Sequence, residues 1–447
     1  MNVFIAGGGR VGFNLAHLLC GDRQNVTVIE KDEQQVQQID YALDVSTVIG
    51  DAASAMLLQS LNVGSADLFV ASMGSDERNL IAAATAKGLG AKQVVARVDN
   101  PSYIDSQIIY ETVLGIDYVL SPESLAALDI ANYICHPGIL ASEDFGHGLV
   151  QMRQICVAPE AEAVDQSLSK LLPPGGGVLL GVINRSSESI IPHGDTIVQS
   201  GDHVTLIGHH EKIGPAQRLF QGANGKARRV AIMGGGTIGL RLAKALEGEV
   251  RTIKLFERRE EKCNALAAEL TKAKVVCRDA TSRAALEQEH LDSFDVFVAA
   301  TGDDERNIMA GVLAKEVGAK TVVAIVQQPD FAPFVERLGV NLPVSPRACM
   351  ANRVLRLLHQ GHVTSLAVLS EGQIEVVELC VGGGSPVLGR KLRDFTFPRG
   401  ALIATILRNE QVIVPSGDDE ILMGDSVIVI SSADAIEGAR KLLQKRA

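Results

Sequence analysis

Tryptophan is absent from the 447 residues and aromatic side chains make up only 4% of them. Cysteine is scarce too: Cys20, Cys135, Cys156, Cys263, Cys277, Cys349 and Cys380 form no C-x-x-C pair and no metal-like spacing. That excludes a disulfide framework and a zinc ribbon, and points to a reduced cytoplasmic chain with most of its thiols in apolar surroundings. No Lys/Arg-rich run offsets the net charge of -11, so the chain offers no footprint for a nucleic-acid backbone. No stretch approaches the roughly 18 to 20 apolar residues of a membrane span, although a membrane partner stays open. Met1-Asn2-Val3-Phe4-Ile5-Ala6 has no basic leader and reads as a strand, so a signal peptide is not expected. What is present, 46% apolar and 21% charged residues, describes a globular protein with about three domains by length.

A repeat revises that count. Gly7-Gly8-Gly9-Arg10-Val11-Gly12 recurs as Gly234-Gly235-Gly236-Thr237-Ile238-Gly239, and Glu30 recurs as Glu257 at the same spacing. Asp51-Ala52 matches Asp279-Ala280, Gly74-Ser75-Asp76-Glu77-Arg78-Asn79 matches Gly302-Asp303-Asp304-Glu305-Arg306-Asn307, and Ser121-Pro122 matches Ser345-Pro346. Further on, Arg185 answers to Arg408, Gly194-Asp195 to Gly417-Asp418, and Gly201-Asp202 to Gly424-Asp425. The chain is a tandem duplication.

Each half holds two units. In the first, Val3 to Ala6, Val26 to Glu30, Asp67 to Ser72 and Val94 to Val98 read as buried strands alternating with helical patterns. This predicts a doubly wound, Rossmann-like parallel sheet. In the second, Val178 to Asn184, Ile190-Ile191 and His203 to Ile207 read as strands with Gly-Asp turns and a helical tail near 210 to 220. Helices at 123–135 and 347–360 follow Ser-Pro and end near Gly138 and Gly361, as crossovers leaving the large units. A link at 221–226 joins the halves. The expected class is α/β: Rossmann-like domains over 1–140 and 228–361, and small α+β domains over 141–222 and 362–447.

Both G-x-G-x-x-G loops follow a strand, open a helix and precede an acidic strand end, the context that gives the motif its meaning. Gly7 and Gly234 allow the tight turn, Gly9 and Gly236 admit a pyrophosphate, and Gly12 and Gly239 permit close helix packing. The helix N-terminus offers free N–H groups to phosphates. Glu30 and Glu257 would accept ribose hydroxyls and repel a 2'-phosphate, favouring NAD or adenosine nucleotides. Arg10 and Arg97 add two guanidiniums to the first loop, where the second has Thr237 and Ile325, so the first is the stronger phosphate site. Asp51 and Asp279 either face the adenine or cap a helix, with proximity to the nucleotide slightly favoured. Ser75-Asp76-Glu77 and Asp303-Asp304-Glu305 read as helix caps, and Met73-Gly74 and Thr301-Gly302 as backbone at the cofactor.

An enzyme is disfavoured. The small units carry no duplicated reactive group: His193 corresponds to Ser416 and His203 to Ser426, while His209-His210 is expected to face solvent. No G-x-S-x-G, H-E-x-x-H or Walker lysine is present. Binding without turnover is the primary reading, and an NAD-dependent oxidoreductase with an unrecognised substrate is the alternative.

Two Rossmann units with Gly-Gly-Gly-x-x-Gly, Gly50-Asp51 and Asp-Glu-Arg-Asn, each followed by a small domain with paired Gly-Asp turns, resemble the TrkA family over nearly the whole chain. These are tandem regulator-of-potassium-conductance proteins. The resemblance implies a cytoplasmic regulator that forms a homo-oligomeric ring beneath a membrane potassium transporter or channel subunit, binds NAD(H) and ATP or ADP, and gates ion flow. It places nucleotide contacts on Gly7 to Val11, Glu30, Met73-Gly74 and Arg97, and on Gly234 to Ile238 and Glu257. Asp99 stands where relatives often carry a further arginine, and Arg10 is similar to the arginine-bearing loop of the single-repeat Ktr regulators.

Overall fold

The computed structural model describes all residues except 21–24, 136–138, 174, 186–187, 222–228, 329–330, 360–365, 370–373, 399, 410, 433–434 and 444–447. Gly138, Gly361 and most of the inter-half link lie outside the described residues.

The β-branched runs form the expected strands. The first half runs β1 (Asn2–Ala6), α1 (Arg10–Cys20), β2 (Asn25–Glu30), α2 (Glu33–Ala42), β3 (Ser46–Ile49), α3 (Ala55–Ser60), β4 (Leu68–Ala71), α4 (Asp76–Leu89), β5 (Gln93–Arg97), α5 (Pro101–Asp105), α6 (Gln107–Leu114), β6 (Tyr118–Leu120) and α7 (Pro122–Cys135). Its small domain follows: β7 (Ile139–Phe145), β8 (Val150–Cys156), α8 (Leu168–Leu171), β9 (Val178–Arg185), β10 (Glu188–Ile190), β11 (His203–His209) and α9 (His210–Gln221). The second half repeats the large unit as β12 (Arg229–Met233), α10 (Thr237–Leu246), β13 (Thr252–Glu257), α11 (Glu260–Glu269), β14 (Lys274–Cys277), α12 (Arg283–Gln288), β15 (Val296–Ala299), α13 (Asp304–Val317), β16 (Thr321–Ile325), α14 (Ala332–Arg337), β17 (Leu342–Val344) and α15 (Pro346–His359). It closes with β18 (Leu366–Leu369), β19 (Ile374–Cys380), β20 (Ala401–Arg408), β21 (Gln411–Ile413), β22 (Ser426–Ser432) and α16 (Ile436–Leu443).

Both large sheets are parallel, in the order β3-β2-β1-β4-β5-β6 and β14-β13-β12-β15-β16-β17. Their order reverses between β1 and β4, and between β12 and β15. In open α/β sheets, that crevice at the carboxyl ends of the strands is where ligands bind. Helices α4 and α13 show why the repeat is so regular. Ser75 and Asp303 cap their N-termini by accepting from Arg78 N–H and Arg306 N–H, and Gly90 (φ +114°) and Gly318 (φ +118°) end them in the left-handed conformation.

The chain packs as two bodies, each drawn from both halves: 1–135 with 226–358, and 136–225 with 359–447. In the first body the crossover helices are exchanged. Ala126, Ala127, Ile130, Ala131 and Ile134 of α7 join Val230, Ile232, Leu242 and Leu246 in the core of the second sheet. Reciprocally, Met350, Ala351, Val354, Leu357 and Leu358 of α15 join Val3, Ile5, Leu15, Leu19 and Val28 of the first. An ion pair of 2.9 Å between Arg241 Nη2 and Asp105 also crosses between the halves.

In the second body each small domain is an antiparallel sheet, with orders β10-β9-β11-β8-β7 and β18-β19-β22-β20-β21. The duplicated arginine and Gly-Asp turn prove to be partners. Arg185 Nε and Nη2 donate to the two Asp202 carboxylate oxygens at 2.8 and 2.7 Å, and Arg408 repeats this on Asp425 at 2.8 and 2.8 Å. Each aspartate side chain is 1% exposed. The two sheets share a core in which Phe145, Met152, Val182 and Ile207 meet Ile374, Val376, Ile428 and Ile430.

Four of the seven thiols lie in apolar surroundings, with Cys263 buried and Cys20, Cys135 and Cys349 packed against hydrophobic cores. All seven are unbridged, but Cys263 alone is buried, while Cys277 and Cys380 are exposed. Cys277 ends the outer strand β14, which pairs on one side only.

Candidate nucleotide-binding sites

In both loops the turn is held by the backbone. Gly7 N–H donates to Ile29 O at 2.8 Å and Gly234 N–H to Phe256 O at 2.9 Å. Gly7 sits at φ +105° and Gly234 at φ +107°, a region costly for residues with a Cβ. The third glycines have a packing role: a Cβ on Gly12 or Gly239 would lie 1.9 Å from the carbonyl oxygen of Gly7 or Gly234. The middle glycines differ. Nothing lies within 4 Å of a Cβ on Gly9 or Gly236, so both face open space at the head of a helix whose first N–H groups have no intrahelical acceptor. A pyrophosphate fits there.

The acidic strand ends stand beside this bay. Glu30 accepts from Gly8 N–H at 2.6 Å, Lys31 N–H at 2.7 Å and Asp32 N–H at 3.0 Å. Glu257 accepts from Gly235 N–H at 3.2 Å, Arg258 N–H at 2.9 Å and Arg259 N–H at 3.0 Å. Burial pushes the Glu257 carboxyl up, but the N–H groups of Arg259 and Gly235, the Lys262 charge and the Arg258 N–H outweigh it and leave it below its ordinary value. Both are fixed carboxylates, suited to accept ribose hydroxyls.

On the opposite wall, a buried asparagine holds two strand ends together. Asn79 accepts from Met73 N–H at 2.7 Å and donates to Met73 O and Arg97 O at 3.1 and 2.9 Å. It ties the carboxyl ends of β4 and β5 together and fixes the Met73-Gly74 backbone. Asn307 repeats this on Thr301 N–H, Thr301 O and Ile325 O at 2.9, 2.9 and 3.0 Å. The duplicated Asp-Glu-Arg-Asn was the available signal; the caps in it were legible, the clamp was not.

Asp51 and Asp279 do not cap the next helix; Ser54 caps α3. Each accepts the N–H two residues on, at 2.9 Å from Ala53 and 3.0 Å from Thr281, and pairs with an arginine on α4 or α13 of its own Rossmann unit, Arg78 or Arg306. These pairs brace the rim of each site.

The first site opens into a 520 Å³ cavity lined by Gly7, Gly9, Glu30, Met73, Gly74 and Arg78. It continues into one of 320 Å³ lined by Arg10, Val11, Arg97 and Glu123. Arg97 also pairs with Asp99. The second site is a 360 Å³ cavity with Gly234 to Gly236, Glu257, Asp279, Thr301 and Gly302 in its wall. Thr237, Ile238 and Gly239 follow at the head of α10 and do not line that cavity. The second site is not cation-poor: Arg258, Arg259, Lys262, Arg278 and Arg306 line it. These cations lie at positions other than those matching Arg10 and Arg97, brought to the cavity by other turns of the fold.

Glycine loop, carboxylate and phosphate bay, twice over, define a tandem dinucleotide-fold protein. Its family is equally plain. The model described as TrkA-N domain matches residues 3–122 and 230–346, and that described as TrkA-C domain matches 152–221 and 376–444; the chain belongs to the TrkA family. It is 34% identical to the Trk system potassium uptake protein TrkA homolog of Archaeoglobus fulgidus over 99% of this chain and 100% of that one. It is 32% identical to TrkA homolog 1 of Methanosarcina mazei, over 99% of both chains. Among solved structures, the GsuK RCK domain superposes with a TM-score of 0.63 at 18% identity, covering 100% of this chain and 95% of that one. The GsuK channel bound to NAD gives 0.65 at 17%, covering 100% and 79%. These two show the same fold.

Proposed function

We propose that this chain is a nucleotide-sensing regulatory subunit of a membrane potassium-uptake system, acting as a homo-oligomeric ring on the cytoplasmic side of a potassium transporter or channel subunit. Whole-length relatives named for potassium uptake support the partner. No helix among the described residues is long and apolar enough to cross a membrane, so the transport path would belong to that partner. In this arrangement the nucleotide-binding units are 1–140 and 228–361, and the small regulatory units are 141–222 and 362–447.

The observation that carries nucleotide binding is the open bay at Gly9 beside the fixed Glu30 carboxylate. The residues fit NAD(H) and also ATP or ADP: Glu30 takes the ribose, Gly7 to Gly12 and the head of α1 take the phosphates, and Met73-Gly74 and Arg97 close the far wall. Glu257, Gly234 to Gly239 and Thr301-Gly302 offer a second, parallel site. The bound nucleotide supplies no chemistry in this reading; occupancy biases the arrangement of the domains, provided it binds two arrangements unequally.

Calorimetric titration of the full chain with NAD, NADH, ATP and ADP tests the proposal. Glu30→Ala removes the carboxylate proposed to accept the ribose hydroxyls and should weaken binding about tenfold or more. Unchanged affinity in this variant would remove Glu30 from the site, and steady oxidation or reduction of nicotinamide with a metabolite panel would favour the oxidoreductase.

A further inference from the structure

The exchange of crossover helices brings the second half into the first site. Pro346 and Arg347, at the head of α15, line the 320 Å³ cavity that holds Gly9, Arg10 and Arg97. Arg347 also lines the adjoining 710 Å³ cavity with Gly8, Gly9 and Arg10. Three guanidiniums therefore face one space at the phosphate end of the first glycine loop.

Arg97 is paired with Asp99 through one nitrogen, but the set as a whole is under-compensated. Neither Arg10 nor Arg347 has an ion pair among the described residues, and the buried Arg97 Nε has no hydrogen-bond partner. Burial lowers the Arg347 guanidinium, the neighbouring Arg10 and Arg97 charges lower it further, and Asp304 only partly opposes them. Glu123 shares the cavity without forming an ion pair with any of the three among the described residues. Burial, with help from Asp99, pushes its carboxyl up against the opposing Arg97 charge. A cavity with three converging cations and one disfavoured carboxylate is built for a multiply charged anion.

We propose that Arg347, carried by the second Rossmann half, is a specificity-determining residue of the first nucleotide site, receiving with Arg10 and Arg97 the terminal phosphate of an adenosine polyphosphate. This rests on the reading that the first glycine loop binds an adenine nucleotide, and names which class that site prefers. A terminal phosphate concentrates on one group nearly twice the charge of either phosphate in the internal diphosphate of NAD, and offers more free oxygens to a guanidinium fork. The same ligand would join the two halves, because Glu30 would hold its ribose and Arg347 its last phosphate.

Calorimetry with ATP, ADP and NAD on the full-length wild type, Arg347→Gln and Arg347→Lys is the test, with Glu30→Ala alongside. Losing one charge-assisted contact to phosphate should weaken ATP binding by about tenfold or more in R347Q, with NAD affinity unchanged and R347K intermediate. Unchanged ATP affinity in R347Q, with a loss in E30A, overturns the role of Arg347 and leaves nucleotide binding at the first loop standing. No effect of either variant, or no binding by the wild type, overturns the underlying reading as well. Equal loss of ATP and NAD binding with a lower ligand-free melting temperature in both R347Q and R347K assigns Arg347 a structural role and overturns the proposal.

Discussion

Gly9 and Gly12 stand three residues apart and should respond to the same substitution in opposite ways. Gly12→Ala forces a methyl against the Gly7 carbonyl oxygen, which backbone must move to relieve, at a cost of about 2 kcal/mol or more. Gly9→Ala adds a methyl to open space; its melting temperature should stay near wild type while nucleotide affinity falls, because the methyl stands where the phosphates would lie. Thermal melts with and without nucleotide separate the two, and a Gly9→Ala chain that binds normally would empty the proposed bay. Glu123 gives a pH signature. Its folded-state pKa is raised, first by burial, so the ionised form costs stability at neutral pH and that cost disappears as the carboxyl protonates in both states. Glu123→Gln should therefore melt above wild type at pH 7, and the gap should narrow as pH falls toward about 4. A gap independent of pH would mean that the carboxylate is not strained.

At the scale of elements, the duplicated Arg and Gly-Asp turn of the small domains act as one unit. Asp202 also accepts Gln199 N–H at 2.8 Å, and Asp425 accepts Leu422 N–H at 2.8 Å, so each aspartate pins its turn as well as its arginine. Asp202→Ala leaves Arg185 without its partner and should cost about 3 kcal/mol, with Asp425→Ala close behind; urea unfolding followed by circular dichroism measures both, and two near-neutral variants would refute the clamp. The sequence showed these residues as a repeat but could not say that they touch, since 17 positions separate them. Other elements escaped for different reasons. Strands β7 and β8 went unread because Ser142, Glu143 and Asp144, and Gln151, Arg153 and Gln154, dilute their apolar content. In β8 the buried Val150, Met152 and Ile155 show an alternation broken by one extra polar residue. The parallel strands β1, β2, β4 and β5 were legible because both faces are covered and the apolar run is continuous. Glu30, Glu257 and the glycines were legible because the loop is local; Asn79, Arg278 and Arg347 were not, because only the folded chain brings them to the sites.

Over the whole molecule, the helix exchange makes the two Rossmann halves mutually dependent. The Ser-Pro starts and nearby glycines mark α7 and α15 as crossovers, but they do not say which sheet each covers. Residues 1–135 alone would expose the apolar face of α7 and leave Val3, Ile5 and Leu15 without the α15 side chains that cover them. Expressed separately, this half should be aggregated or self-associated, and co-expression with 226–358 should return a soluble heterodimer. Size-exclusion chromatography of the halves singly and together checks this; a stable monomeric first half would show that the exchange contributes little.

Covalent duplication also frees the chain from a symmetry rule. In two identical subunits, matched positions necessarily carry the same residue, so a homodimer would bring two glutamates or two arginines from this position to the space beside Gly9. Here the matching Ser-Pro positions are followed by Glu123 in one half and Arg347 in the other, and both reach that space. The fused chain can vary the two copies independently, so one cavity receives opposite charges from the same position of the repeat, which a symmetric pair of single-repeat chains could reach only by using two different positions.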